Sequence, residues 1–213
     1  MASRPLPTIL VAEPLTPESF APYGHVVAAR ASGYGGNQGT ASRSDGLAEL
    51  QNARPGGATA NVCVFRSSAR ELGAALAGTP GDEASFEVAL LERHPYSSQL
   101  FVPLNAPRRY LVVVALPAAE PPGVDVRREG AAPPDMTTLR AFMARRDQGV
   151  NYAAGVWHHP LAALDGATDF ACVVYEDGTP DDCHVLAMGD VGPGAPVVVR
   201  IARDAGGEAV SRL

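Results

Sequence analysis

The chain contains no lysine: all 17 basic residues among its 213 are arginines. That absence excludes a Schiff-base nucleophile and a lysine general base, and leaves every cationic contact to a guanidinium or an imidazole. Positive charge is also in deficit, with 23 acidic residues and a net charge of -6. No basic field exists to hold a phosphate backbone or an anionic bilayer, so neither nucleic acid nor membrane is an expected partner. Cysteine is scarce. Cys63, Cys172 and Cys183 form an odd set without C-x-x-C spacing, which argues against a disulfide framework or a cysteine zinc site and for reduced, mostly buried thiols. No apolar run approaches bilayer length and the first residues lack the apolar stretch of a signal peptide, so a cytoplasmic protein is expected.

What is present is ordinary globular usage, with 46% hydrophobic and 19% charged residues. The length suits a single domain over residues 1–213 with a real core. Thr16-Pro17-Glu18-Ser19-Phe20 carries a cap residue, a proline at the first helical position and an early acid, and so predicts a short helix. Residues 33–57 are rich in Gly, Ser, Asn and Arg and read as a long loop. The glycines at 33–39 follow no apolar strand and precede no helix, so they do not make a phosphate loop, and no nucleotide or organic cofactor is expected.

Short apolar or alternating runs at 60–66, 86–91, 99–102, 110–116, 170–175 and 196–201, bounded by turn residues, predict strands. Val112, Val113 and Val114 mark a buried one. Residues 118–135 are a proline-rich surface connection. Residues 138–146 fit two patterns. Leu139, Phe142 and Met143 share a helical face, while in a strand Arg140 and Phe142 oppose Leu139, Ala141 and Met143. Many short strands with little helix imply a mainly β, antiparallel barrel or sandwich.

Two segments concentrate reactive side chains: Leu91-Glu92-Arg93-His94-Pro95-Tyr96-Ser97-Ser98-Gln99 and Gly149-Val150-Asn151-Tyr152-Ala153-Ala154-Gly155-Val156-Trp157-His158-His159-Pro160. On a strand Glu92 and His94 share a face, as a metal-binding or proton-transfer pair requires, and Arg93 faces away. The same pair could equally satisfy itself at a sheet rim. A bend at Gly155 would present an imidazole inward, and at most one of His158 and His159 can line a cavity, because neighbouring strand residues point oppositely.

The stretches LERHPYSSQLFVPL, TTLRAFM, GVNYAAGVWHHPL and TDF, in that order, together with SFAPYG near the start, resemble the ureidoglycolate lyase family, formerly called ureidoglycolate hydrolase. The likeness is strongest over residues 86–185. The loop at 33–57, the proline-rich segment before Met136 and a C-terminal extension after about 185 look like additions. The resemblance implies a cupin-like antiparallel β-barrel, a double-stranded β-helix or jelly roll, with a few short helices. Against the cupin motifs, Glu92, His94 and Gln99 occupy the first ligand positions. Gly155 and His158 match the second motif, which here lacks its proline. Glu92, His94, Gln99 and His158 would then offer two nitrogens and two oxygens to a divalent first-row metal, and family likeness suggests nickel.

The activity implied is cleavage of ureidoglycolate to glyoxylate and urea, a step of allantoin and purine breakdown, by an amidine-lyase-type enzyme that forms a homodimer. On that reading His94 and His158 share the proton traffic and Glu92 orients His94. Arg140 is the first choice to bind the substrate carboxylate and Arg93 the second. Ser98, Gln99 and Asn151 would bond the ureido group, and Trp157 would wall the cavity or pack the core. Two other classes compete: a metal-dependent cupin acting on another small ureido or hydroxy acid, and a ligand-binding cupin without turnover. Glyoxylate release, with and without chelator, separates them.

Overall fold

In the computed structural model the described residues are 8–31, 33–76, 83–105, 108–125, 127–128, 130–190 and 196–202. The valine block organises what they form. Every residue from Tyr110 to Ala115 is buried on the strand Arg109–Ala115. Side chains alternate between the two faces of a strand, so both faces of this sheet have to be covered.

They are. The central sheet runs in the order His184–Ala187, Leu90–Arg93, Trp157–His158, Arg109–Ala115, Arg140–Arg145 and Glu13–Pro14, with Ala162–Ala163 also paired to Arg109–Ala115. On one face Tyr110, Val112, Val114 and Phe142 pack against Phe101, Val150, Tyr152 and Phe170 of a five-stranded sheet. That sheet is ordered Gly24–Val27, Gly149–Tyr152, Gln99–Pro103, Thr168–Glu176 and Thr59–Ser67. On the other face Leu111, Val113, Leu139 and Ala141 pack against Phe86, Val88, Val199 and Ile201. Those residues come from a three-stranded sheet of Thr8–Val11, Val197–Ala202 and Glu83–Val88. The result is three layers with two apolar cores.

The chain is thus mainly β and antiparallel, as its patterning predicts, but the barrel is not closed. Among the described residues Thr59–Ser67 pairs only with Thr168–Glu176 and leaves its other edge free. Of the two readings of residues 138–146 the strand is correct. Arg140–Arg145 pairs along its length with Arg109–Ala115, and its two apolar sides serve the two cores. The short helix is Pro17–Phe20, capped reciprocally by Thr16 and Ser19, and it drives Phe20 into the first core. Part of the expected C-terminal extension lies outside the described residues, while its strand Val197–Ala202 contributes Val197, Val199 and Ile201 to the second core.

Cores on both faces of one sheet make a prediction that a two-layer sandwich would not. Leu111→Ala and Phe142→Ala open cavities in opposite cores and should each cost about 2–5 kcal/mol by urea unfolding. Val62→Ala, on the exposed edge strand, should stay within about 0.5 kcal/mol. A small effect at either core position would remove one of the three layers.

Candidate functional site

Strand pairing builds the site. Trp157–His158 lies between Leu90–Arg93 and Arg109–Ala115, with His158 opposite Glu92 on one side and Val114 on the other. Val114 is in turn opposite Arg140. Residues in register across a sheet share a face, so Glu92, His158, Val114 and Arg140 form one row looking into the gap toward the five-stranded sheet. Gln99 meets them from that sheet, its Oε1 being 3.0 Å from His158 Nε2.

Glu92, His94 and His158 each direct one ligand-type atom into a common point, all within 4.8 Å of one another. The rings are fixed from behind. Nδ1 of His94 lies 2.8 Å from the Asp182 carbonyl and Nδ1 of His158 lies 3.0 Å from the Val156 carbonyl. A carbonyl can only accept, so each Nδ1 carries the hydrogen and each Nε2 is presented to the site. Nε2 of His94 is buried without any hydrogen-bond partner. Such an orphaned nitrogen costs free energy unless something joins it there.

Electrostatics within the cluster favour an anionic Glu92 carboxylate and a neutral His94 imidazole. Burial alone would raise the Glu92 pKa, but the hydrogen bond and charge of His158, with His94 and His159, outweigh it and hold the carboxyl below its usual range. Burial, then repulsion from His158, lowers the His94 pKa from 6.5 to about 4 against the opposing pull of Glu92. Glu92 Oε1 is 3.5 Å from His158 Nε2. The carboxylate therefore lies against His158 across the strands as well as sharing a face with His94.

The remaining expected residues divide. Arg140 is exposed at the end of the row. Among the described residues its hydrogen bond is from Nη1 to the Leu139 carbonyl at 3.2 Å, and no ion pair is formed there. Arg93 is 1% exposed and faces the second core, as the alternation requires. Its guanidinium donates to the carbonyls of Arg128, Ala131 and Ala132 and lies over the Trp157 ring. Trp157 also faces away and donates Nε1 to the Ala132 carbonyl. Neither residue reaches the cluster, because both sit one position out of phase with it. Ser98 and Asn151 flank the site but hold residues 49–51: Ser98 Oγ accepts from Gln51 N and Asn151 Nδ2 donates to the Glu49 carbonyl. His159 packs edge-on against Phe86.

Tyr152 was not among the expected site residues. Its ring stacks on His158 with centroids 4.0 Å apart and planes at 8°, and its hydroxyl is buried without a partner. Tyr152 is in register with Gln99 on the five-stranded sheet, a pairing that the sequence alone does not disclose. Cavities of about 530 and 720 Å³ lie elsewhere, lined in part by Arg70 and Phe86 and by His25 and Arg145. Neither contains a member of the Glu92, His94 and His158 cluster.

The family model for ureidoglycolate lyase matches residues 7–192. A ureidoglycolate lyase from Burkholderia cepacia is 42% identical over 181 residues, covering 84% of this chain and 86% of that protein. One from Brucella anthropi is 39% identical over 184 residues, covering 85% and 90%.

The depressed His94 pKa fixes a sign for stability. Between pH 6.5 and about 4 the unfolded chain binds a proton at this ring that the folded chain does not, so unfolding becomes easier as pH falls through that window. The melting temperature of the cation-free protein should drop between those values, and His94→Gln should flatten the slope. An identical slope in the variant would clear His94 of this role.

Proposed function

Because the chain belongs to the ureidoglycolate lyase family, we propose that it is a carbon-nitrogen lyase of the amidine-lyase type that cleaves ureidoglycolate to glyoxylate and urea. The observation that carries this reading is the convergence of Glu92, His94 and His158 in a row that also contains Arg140.

In ureidoglycolate one carbon bears a hydroxyl, a carboxylate and the ureido nitrogen. Loss of the hydroxyl proton turns the C-O bond into the aldehyde of glyoxylate, while the C-N electron pair leaves with urea and takes up a proton. No electrons are exchanged with any other reagent. Arg140 receives the carboxylate: its Cα is two strand spacings, about 10 Å, from that of His158, and a guanidinium fork suits a carboxylate. Glu92, ionised and half-buried, accepts the hydroxyl proton and returns it to the departing nitrogen. The two histidines frame this carboxylate, since each commits Nδ1 to a carbonyl and turns Nε2 toward it. Gln99 bonds the ureido group from the opposite sheet.

The donors also fit a divalent cation, a reading that the orphaned His94 Nε2 supports. It would be held by His94, His158 and one Glu92 oxygen, with Gln99 as the fourth donor, and would supply Lewis-acid polarisation of a substrate oxygen. The second Glu92 oxygen would then remain available to take the proton. Two imidazoles, a carboxylate and an amide are a set that nickel accepts.

The assembly proposed is a homodimer formed through Thr59–Ser67. This edge strand exposes Val62 at 73% and Val64 at 61%, an arrangement that invites pairing with a second copy. Sedimentation velocity should find a dimer, and Val62→Arg with Val64→Arg should convert it to monomer. A monomeric parent protein would discard the interface.

Activity is tested by glyoxylate release from racemic ureidoglycolate, before and after chelation. Glu92→Gln should lower kcat by about 10²–10⁴, and Arg140→Gln should act mainly on KM. Release no faster than the spontaneous rate would reject the lyase reading. Full activity after metal stripping would reject only the cation.

A further inference from the structure

The ring of His94 is held by a loop that is itself held from far away in the chain. Its Nδ1 donates to the carbonyl of Asp182 at 2.8 Å. The Asp182 carboxylate folds back to accept from the backbone of Asp177 and Gly178, so residues 177–182 form a closed turn. Across that turn lies Arg54, whose side chain is only 8% exposed. Its Nη2 bonds Asp182 Oδ1 at 2.5 Å. Its Nε lies 3.1 Å from Asp177 Oδ2, close in distance but without hydrogen-bond alignment.

The other side of Arg54 grips the segment that carries His94. Its guanidinium carbon is 4.1 Å from the centre of the Tyr96 ring. The chain before it runs alongside the site loop, with Ala53 N donating to the Tyr96 carbonyl and Ser98 N to the Gln51 carbonyl. Gln51 Oε1 accepts from Ala154 N on the loop leading to His158. Arg54 is thus the point where residues 94–98 and the turn at 177–182 are tied together, and His94 lies between the two.

We infer that Arg54 is a positioning residue that fixes the ring of His94 through the Asp182 carbonyl, so that Nε2 faces the reacting cluster. A guanidinium suits the task because its rigid fork can address two carboxylates while its face stacks on an aromatic ring. The alternative is a salt bridge that merely stabilises the fold, and the two differ in what they do to the ring. Positioning sets the tautomer and aim of His94, whereas simple stabilisation leaves both unchanged in the folded protein.

The inference rests on the proposed site, so its test uses readouts that do not require turnover. Long-range proton–nitrogen spectra of the imidazoles should show His94 with its hydrogen on Nδ1 in the parent protein and a mixture of tautomers in Arg54→Met. Affinity for Ni²⁺, measured by calorimetry, should fall about 10- to 100-fold in the same variant. With ureidoglycolate, kcat should fall while KM stays within about twofold, as expected for a lost aim and an intact substrate clamp. Arg54→Lys should restore part of each effect. Should Arg54→Met fail to fold, Asp182→Asn keeps the carbonyl, removes the ion pair and should give the same spectral change. Arg43→Met, which removes an exposed pair with Asp45, serves as the control without effect. A folded Arg54→Met or Asp182→Asn protein with the parent ring spectrum and cation affinity overturns the assignment. Absence of glyoxylate release from the parent protein would instead strike the lyase reading and leave spectrum and affinity to decide on Arg54.

Discussion

The short antiparallel contact between His158 and Glu92 is the constraint on which the site depends. Trp157–His158 is only two residues long, yet it is inserted between Leu90–Arg93 and Arg109–Ala115. Its phase determines which side chains meet. With His158 on the inner face, Trp157 and His159 must face the second core, where Trp157 joins Leu111 and Val113. A slip of one residue would exchange them and put an indole where the imidazole belongs. The bend before the strand prevents that slip. Gly155 adopts a φ of 81°, a conformation that disfavours other residues, and its N–H donates to the His94 carbonyl. One hydrogen bond therefore joins the two histidine segments and sets the register.

Burial on both sides of the central sheet explains how such a polar cluster can be held. Charged and hydrogen-bonding groups are costly inside a protein unless satisfied. Here the cost is limited by placing the cluster toward the end of the apolar gap and bonding each ring from behind by a main-chain carbonyl. Glu92 keeps some exposure while His158 is almost fully buried. Desolvation and charge then act in opposite directions on the carboxylate, and the imidazoles prevail. On His94 burial prevails and the ring is neutral near pH 7. The pair of a carboxylate that prefers ionisation and an imidazole that prefers neutrality is the state needed to accept a proton or hold a cation.

Much of this was legible in the residues. The period-two alternation of Leu91, Glu92, Arg93 and His94 correctly puts Glu92 and His94 together and Arg93 opposite, and family likeness identified the second histidine segment. What alternation could not convey is the third layer. A run such as Val112-Val113-Val114 reads as a buried strand whichever elements cover it, so the expected barrel or sandwich leaves the number of stacked sheets open. Of the two readings of Trp157, cavity wall or core packing, the structure shows packing, a choice left open by the residues because the direction of the first residue after a bend depends on the bend. Tyr152 escaped notice because stacking on His158 is a contact between different sheets, visible only once the layers face each other. Arg54 was further out of reach: its bond to Asp182 spans 128 positions, and nothing local to Asn52-Ala53-Arg54-Pro55 announces it.

The missing lysines now acquire a structural reading. The chain uses guanidinium groups for three separable tasks, and burial distinguishes them. Arg93, stacked on Trp157 and donating to three carbonyls, ties the proline-rich loop to the central sheet. Arg54 joins two site loops through paired aspartates and a ring. Both depend on a planar, multidentate cation, and an ammonium would satisfy fewer partners at either position. Arg140 differs because it lies in the row of Glu92 and His158 and is an exposed residue. Arg93 has committed its donors to main-chain carbonyls, whereas Arg140, among the described residues, donates to the Leu139 carbonyl alone, and for that reason the proposed carboxylate contact falls to Arg140.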